Sequence, residues 1–278
     1  MNAESITVLG GTGKTGRRLA HQLEASDYRV KAASRRGPTR FDWADEASWG
    51  EALSDASAVY IVPDESPGGT DRLASFALRA VGSGVRRLVL LSAREWADTG
   101  YAEGLAREEV VRGSGAEWTI LRPVWFAQNF SEEPFLADGV KEGELVFGTG
   151  DGAHPFIDAE DIAAVAAAAL TQDHHHGKEY ELTGPRAITI AEAVEIIAIE
   201  LGRPIRAYAA TAEEYRAFLT ERYYSPEGAE GSVAMSDFIR SGNDARVSDG
   251  VQRALGREPR DFTEYVRAAA ASGAWAAQ

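Results

Sequence analysis

The chain has 278 residues, 44% of them apolar and 26% charged, a composition suited to a soluble globular protein built on one large α/β domain or on one with an appendage. Its formal net charge of -14 argues against a nucleic-acid partner, whose phosphates call for a basic face, and the lack of cysteine excludes disulfides, thiol catalysis and thiolate metal sites. No apolar run has the length of a membrane span, and Met1-Asn2-Ala3-Glu4-Ser5 is not a basic region followed by an apolar one, so no membrane and a cytoplasmic location are expected.

In chain order, Ile6 to Leu9 is a short β-branched run ending at glycine, as buried parallel strands do. Arg17 to Ala25 carries Leu19, Ala20 and Leu23 at helical spacing. Tyr28 to Ala33 and Ala58 to Val62 predict strands. Asp71 to Val81 predicts a helix leading through Gly82-Ser83-Gly84 into a strand at Arg87 to Leu91. A helix at Glu103 to Arg112 closes at Gly113, and Trp118 to Leu121 is the next strand. This alternation implies βαβ units, hence a doubly wound Rossmann-type parallel sheet with helices on both faces.

Beyond it, Asp158 to Leu170 and Ile190 to Leu201 predict helices and Glu179 to Leu182 a strand. The segment from Tyr223 to Gly250, rich in Gly, Ser and Asp, predicts loops around a short helix at Val233 to Ile239. Residues 1–150 are therefore read as mainly a dinucleotide-binding core. Residues 151–278 return to that core and add a smaller substrate-side cap, the whole forming one compact body.

The sharpest motif is Gly10-Gly11-Thr12-Gly13-Lys14-Thr15-Gly16, directly after the first strand and opening the first helix. Gly10 permits a tight turn, Gly13 admits a pyrophosphate to the backbone, and Gly16 lets helix pack on strand. The helix start supplies N–H groups and a positive dipole end. A Walker loop is excluded, because Gly-x-x-x-x-Gly-Lys-Ser/Thr is absent. About twenty residues on, where NAD binding calls for an acid, stands Ala33-Ser34-Arg35-Arg36. A serine with arginines suits a 2′-phosphate, so NADP(H) is the expected cofactor; a solvated basic loop is the alternative.

These segments, with Phe41-Asp42-Trp43, Leu90-Leu91-Ser92, Trp118 to Pro123, Phe126 to Phe130, Phe156 to Ala163 and Leu182 to Pro185, resemble NmrA-like atypical short-chain dehydrogenases/reductases over nearly the whole chain. Within the family the pattern is most similar to the fungal ergot-alkaloid reductases, agroclavine dehydrogenase and festuclavine synthase. The resemblance implies cofactor contacts at Gly10, Thr12, Gly13, Lys14, Thr15 and Gly16, with Ser34 and Arg35 on the 2′-phosphate. It implies Asp42 and Trp43 near the adenine, Val62, Pro63, Ser92 and Ala93 near the nicotinamide ribose, and Pro123, Phe126 and Asn129 walling the nicotinamide.

One departure stands out. Most short-chain reductases use Tyr-x-x-x-Lys, but four residues after Tyr101 comes Leu105, flanked by Gly104 and Ala106. A phenol with an ordinary pKa near 10 is a poor acid at neutral pH. Candidate catalytic residues are Tyr101 (otherwise a surface aromatic), Ser92 (otherwise a helix cap) and His154 (otherwise structural). His174-His175-His176 reads as an exposed loop, not a metal site. Trp96, Trp125, Phe126, Tyr223 and Tyr224 are candidate walls for a flat substrate, or else core.

The expected activity is NADPH-dependent reduction of a carbonyl on a hydrophobic, polycyclic aromatic small molecule, a polyketide ketone or quinone, protonated by the substrate itself or by water. Composition associates it with a bacterial tailoring step in secondary metabolism such as antibiotic biosynthesis. The alternatives are an imine or iminium reductase of alkaloid type and a non-catalytic NADP-sensing regulator. No dimer seam is legible, and the oligomeric state is left open.

Overall fold

The computed structural model describes residues 5–276; the start of the segment read above for a secretory signal lies outside them. The chain opens with β1 (Ser5–Leu9), α1 (Lys14–Glu24), β2 (Arg29–Ser34), β3 (Thr39–Arg40), α2 (Trp49–Leu53), β4 (Ala56–Ile61), α3 (Gly69–Gly82), β5 (Arg87–Leu91), α4 (Arg94–Thr99), α5 (Ala102–Arg112) and β6 (Glu117–Pro123). There follow α6 (Asn129–Glu132), α7 (Pro134–Glu142), β7 (Glu144–Phe147), β8 (Ala153–His154), α8 (Ala159–Thr171) and β9 (Lys178–Leu182). The chain then runs through β10 (Ile188–Thr189), α9 (Ile190–Leu201), β11 (Arg206–Ala209), α10 (Ala212–Arg222), α11 (Pro226–Arg240), α12 (Gly250–Leu255) and α13 (Phe262–Ala271).

These elements form two compact units. The first is residues 1–124, 159–182 and 249–257, and the second is 125–158, 183–248 and 258–278. The first stops at Val124, short of 150, and α8, β9 and α12 come back to it.

The first unit carries a seven-stranded sheet in the order β3-β2-β1-β4-β5-β6-β9, every pair of neighbours parallel. This is the expected Rossmann-type α/β fold. The order reverses direction at β1, so the carboxyl ends of β1 and β4 flank the switch point where ligands of such sheets sit. Every residue of β1 is buried, and its register sets Leu9 opposite Ala33 and Val8 opposite Tyr60. A core of Leu9, Phe41, Trp49, Val59, Leu73, Phe76, Leu88 and Ile120 fills the space beneath α2, α3 and α5.

The second unit has its own core, built around Phe130, Phe135, Phe147, Phe156, Val194, Tyr215, Val233, Phe262 and Tyr265. It carries two small strand pairs, β11 parallel to β7 and β10 antiparallel to β8. The segment expected as loops around Val233 to Ile239 is mostly one helix, the fifteen-residue α11. Ser225 caps it, accepting from the Gly228 N–H at 3.3 Å, and Pro226 occupies its first turn. Ala229, Val233, Ser236 and Ile239 are its buried residues, and that packing outweighs the weak propensity of Gly228 and Gly231.

Candidate functional site

At the carboxyl edge of the first unit's sheet, Gly10 sits at φ 67°, a left-handed conformation, and its carbonyl accepts from the Gly13 N–H at 2.8 Å. Gly13 then caps α1 with extended backbone, no side chain bonds that cap, and no acid stands in the first turn. The opening turn of α1 thus offers an anion the positive end of the helix dipole.

A Cβ on Gly16 would stand 2.2 Å from the Gly10 carbonyl oxygen, so this glycine packs helix against loop, not against strand as expected. The approach to the strand belongs to Gly11, whose Cβ would lie 2.8 Å from the Ala32 Cα. Its signal was the doubled glycine. Thr12 and Gly13 are exposed and Lys14 half-buried. The Thr15 side chain turns inward, its hydroxyl oxygen accepting from Tyr60 at 3.0 Å, so what Thr15 can offer a phosphate is its backbone N–H.

Ser34 ends β2, and its buried hydroxyl has no hydrogen-bond partner among the described residues. A Cβ at Gly37 would come within 2.6 Å of that oxygen, so glycine keeps the space over it clear. Arg35 and Arg36 follow, both exposed. An orphaned hydroxyl beside a cation fits a 2′-phosphate, which accepts from both.

The Asp42 carboxylate accepts from the Ala44 N–H at 3.0 Å in a local turn. The Trp43 indole donates to the Val62 carbonyl at 3.1 Å, and the Val62 side chain would touch a Cβ on Gly10 at 3.0 Å. Trp43, Val62 and Gly10 are therefore brought together at the switch point. Half-buried Pro63 follows, and Arg72, forked onto Asp64 with an Nε bond of 2.8 Å, braces that loop. Burial works against the Asp64 carboxylate, but bonds from Ser66 and Arg72 outweigh it and hold its pKa below the ordinary range.

Beyond β5, Ser92 is buried and donates its hydroxyl proton to Glu108 at 2.6 Å. Glu108, fully buried, also accepts from Arg122 at 2.9 and 2.5 Å and from Arg112 at 2.8 Å. Burial opposes its charge, yet the Arg122 and Ser92 bonds and the two guanidinium charges keep its pKa lowered. A serine hydroxyl has one proton, and that of the candidate catalytic residue Ser92 lies on Glu108 in this structure. Ala93 caps α4, and Pro123 is buried at the end of β6.

Tyr101 is 42% exposed and bonds Glu103 at 3.1 Å, with Leu105 where the Tyr-x-x-x-Lys pattern has its lysine. The candidate wall Trp96 packs its largely buried ring on α5, where a Cβ on Gly104 would strike it at 2.4 Å. His175, expected exposed, is buried. It shares a 2.9 Å bond with the Tyr180 hydroxyl, and burial with the nearby His174 and Arg87 charges pushes its pKa to about 4. Among the described residues no cluster of His, Asp and Glu stands ready to hold a metal, and no helix is long and apolar enough to cross a membrane.

In the second unit, His154 is buried beside Trp125 and Phe156. Its Nε2 accepts from the Trp125 N–H at 2.9 Å and its Nδ1 faces the Asp244 carboxylate. With one nitrogen accepting and the other paired, the ring ties three segments together and has no proton for a substrate. Phe126 bridges Ile157, and Asn129 starts α6; both are half-buried. Tyr223 and Tyr224 are half-buried against the core, their hydroxyls bonded to Asp138 at 3.3 Å and Glu133 at 3.1 Å.

The model of a family described as NAD(P)H-binding matches residues 10–173. An uncharacterised oxidoreductase of Bacillus subtilis, YesF, is 33% identical over 98% of this chain and 97% of its own length. Agroclavine dehydrogenase of Claviceps fusiformis is 31% identical over 94% of this chain and 96% of its own. Among solved structures, a Citrobacter triphenylmethane reductase complexed with NADP(H) covers 95% of this chain and 99% of its own at a TM-score of 0.74 and 21% identity, a likeness of fold.

Proposed function

We infer the reaction from one premise: this chain belongs to the NAD(P)H-binding family, among its NmrA-like atypical short-chain dehydrogenases/reductases. It is an NAD(P)H-dependent oxidoreductase. The residues present fit the dinucleotide. The N–H groups of α1 and the Gly10 to Gly16 turn would hold the pyrophosphate, and Ser34 with Arg35 would hold the 2′-phosphate, favouring NADP(H) over NAD(H). Bound there, the reduced dinucleotide supplies hydride.

The proposed substrate is a hydrophobic, polycyclic aromatic ketone or quinone. The observation that carries this is that none of the three candidate donors is poised to give a proton. Ser92 spends its own on Glu108, both His154 nitrogens are engaged, and Tyr101 is an exposed phenol without a lysine. A hydroxy-ketone or hydroxyquinone supplies that proton from its neighbouring hydroxyl, leaving the protein to position the reactants and exclude water. A cytoplasmic location and a bacterial tailoring role belong to this proposal.

A second reading is favoured by the relative named agroclavine dehydrogenase. Hydride addition to an iminium gives a neutral amine, so that reaction also needs no proton at the reacting centre. The test is NADPH consumption, followed at the nicotinamide absorbance, against polycyclic hydroxy-ketones, quinones and cyclic imines, with NADH and Arg35→Ala in parallel. Turnover with NADPH on the first two classes, with the NADPH KM raised about tenfold or more in the variant, is expected. Turnover on imines alone selects the second reading, and turnover on none overturns both.

A further inference from the structure

Arg107, on α5, is 1% exposed, and neither its Nε nor its Nη1 has a hydrogen-bond partner among the described residues. Its ion pair is a 3.5 Å contact from Nη2 to Glu103, a carboxylate that is itself 61% exposed. The neighbouring arginines differ. Arg112 and Arg122 share Glu108 and Glu179. A guanidinium is charged at every physiological pH, and burying it with donors unmet is among the costliest arrangements a fold can hold.

Two further features give the position meaning. Trp96 lies over the guanidinium at 5.7 Å, seated there because Gly104 leaves room for its ring against the helix backbone. Arg107 also adjoins Glu108, whose bond to Ser92 fixes this turn of α5 at the carboxyl end of β5, the end beyond which ligands of parallel sheets lie.

We propose that Arg107, with Trp96, recognises an anionic oxygen (a carboxylate, a phosphate or a phenolate) carried by a planar aromatic substrate. The unmet N–H groups donate to that oxygen and the indole meets the ring. Calling that ligand the substrate rests on the reductase reading, and it narrows the substrate class to anions.

The test uses the full-length chain and two isosteric probes, 2-naphthoate and 2-naphthamide, by calorimetry and tryptophan emission, with and without NADP+. The acid is expected to bind about ten- to a hundredfold tighter than the amide, the span of one charged hydrogen-bonded contact. Arg107→Met is expected to erase that preference without lowering the melting temperature, since it removes a poorly paired buried charge, and Arg107→Lys to keep part of it. Equal affinity for the two probes, no binding of either, or a preference surviving in Arg107→Met overturns the proposal. NADPH binding and turnover of a neutral quinone are measured alongside. Their failure counts against the reductase reading, and their success with no anion preference counts against Arg107 alone.

Discussion

Replacing Glu108 by Gln removes one buried charge on which Ser92, Arg112 and Arg122 converge, while keeping its volume. The carboxylate is 0% exposed and accepts bonds of 2.6 to 2.9 Å from Ser92, Arg112 Nη2 and Arg122 Nε, and 2.5 Å from Arg122 Nη2. Hydrogen bonds to a charged group contribute about 1.5–3 kcal/mol each, and breaking a buried ion pair costs about 3–5 kcal/mol. Both guanidiniums keep Glu179, at 2.5 Å from Arg112 and 2.9 Å from Arg122, so neither is stranded. The expected loss is accordingly at the low end, about 3 kcal/mol. Its pH dependence follows from the lowered pKa of Glu108. A carboxyl depressed on folding stabilises the fold fully above its unfolded pKa, about 4.3, and that stability is lost as pH falls through the folded value. Urea unfolding of both proteins from pH 7 down to pH 3 reads this directly. The gap between them should be about 3 kcal/mol at pH 7 and close towards acid. A gap under about 1 kcal/mol at pH 7, or one that widens towards acid, refutes the reasoning.

Gly16→Ala puts a methyl 2.2 Å from the Gly10 carbonyl, with backbone on both sides, so NADPH affinity measured by fluorescence titration should fall at least about tenfold while the second unit keeps its fold. Ser92→Ala and Tyr101→Phe should each retain more than about a tenth of wild-type kcat, because a general acid is worth about a hundredfold or more and the proposed reaction takes its proton from neither hydroxyl; a hundredfold fall in either overturns that proposal. His154→Ala leaves Asp244 and the Trp125 N–H without their partner and should cost about 2–4 kcal/mol in chemical unfolding, yet leave the shape of the kcat against pH profile unchanged.

How far the amino-acid sequence discloses this molecule depends on whether a residue's type matches its surroundings. The strand from Ser5 to Leu9, the glycine turn and α1 were legible because each obeys a local rule: a β-branched buried run, then positive φ at Gly10, then a helix start without a side-chain cap. That the strand contact expected of Gly16 falls to Gly11 was not, since it depends on where β2 lies beside the loop. Helix α11 was obscured by its glycines and is held by contacts distant in sequence.

The fate of the candidate proton donors was hidden for a related reason. Ser92 meets Glu108 sixteen positions on, and His154 meets the Trp125 backbone twenty-nine positions back, so neither commitment leaves a trace in spacing. Helix α5 is the sharpest case. Its buried stripe is Gly104, Arg107, Glu108 and Val111, an ideal i, i+3, i+4, i+7 face occupied at its centre by two charged residues. Hydrophobic periodicity assigns such residues to solvent, and here it fails because Glu108 is satisfied by arginines from its own helix and from β6. Among the described residues Arg107 has no comparable counter-ion. A stripe that breaks the apolar rule and repays it at Glu108 leaves at Arg107 an unmet charge that the proposed anion contact would repay.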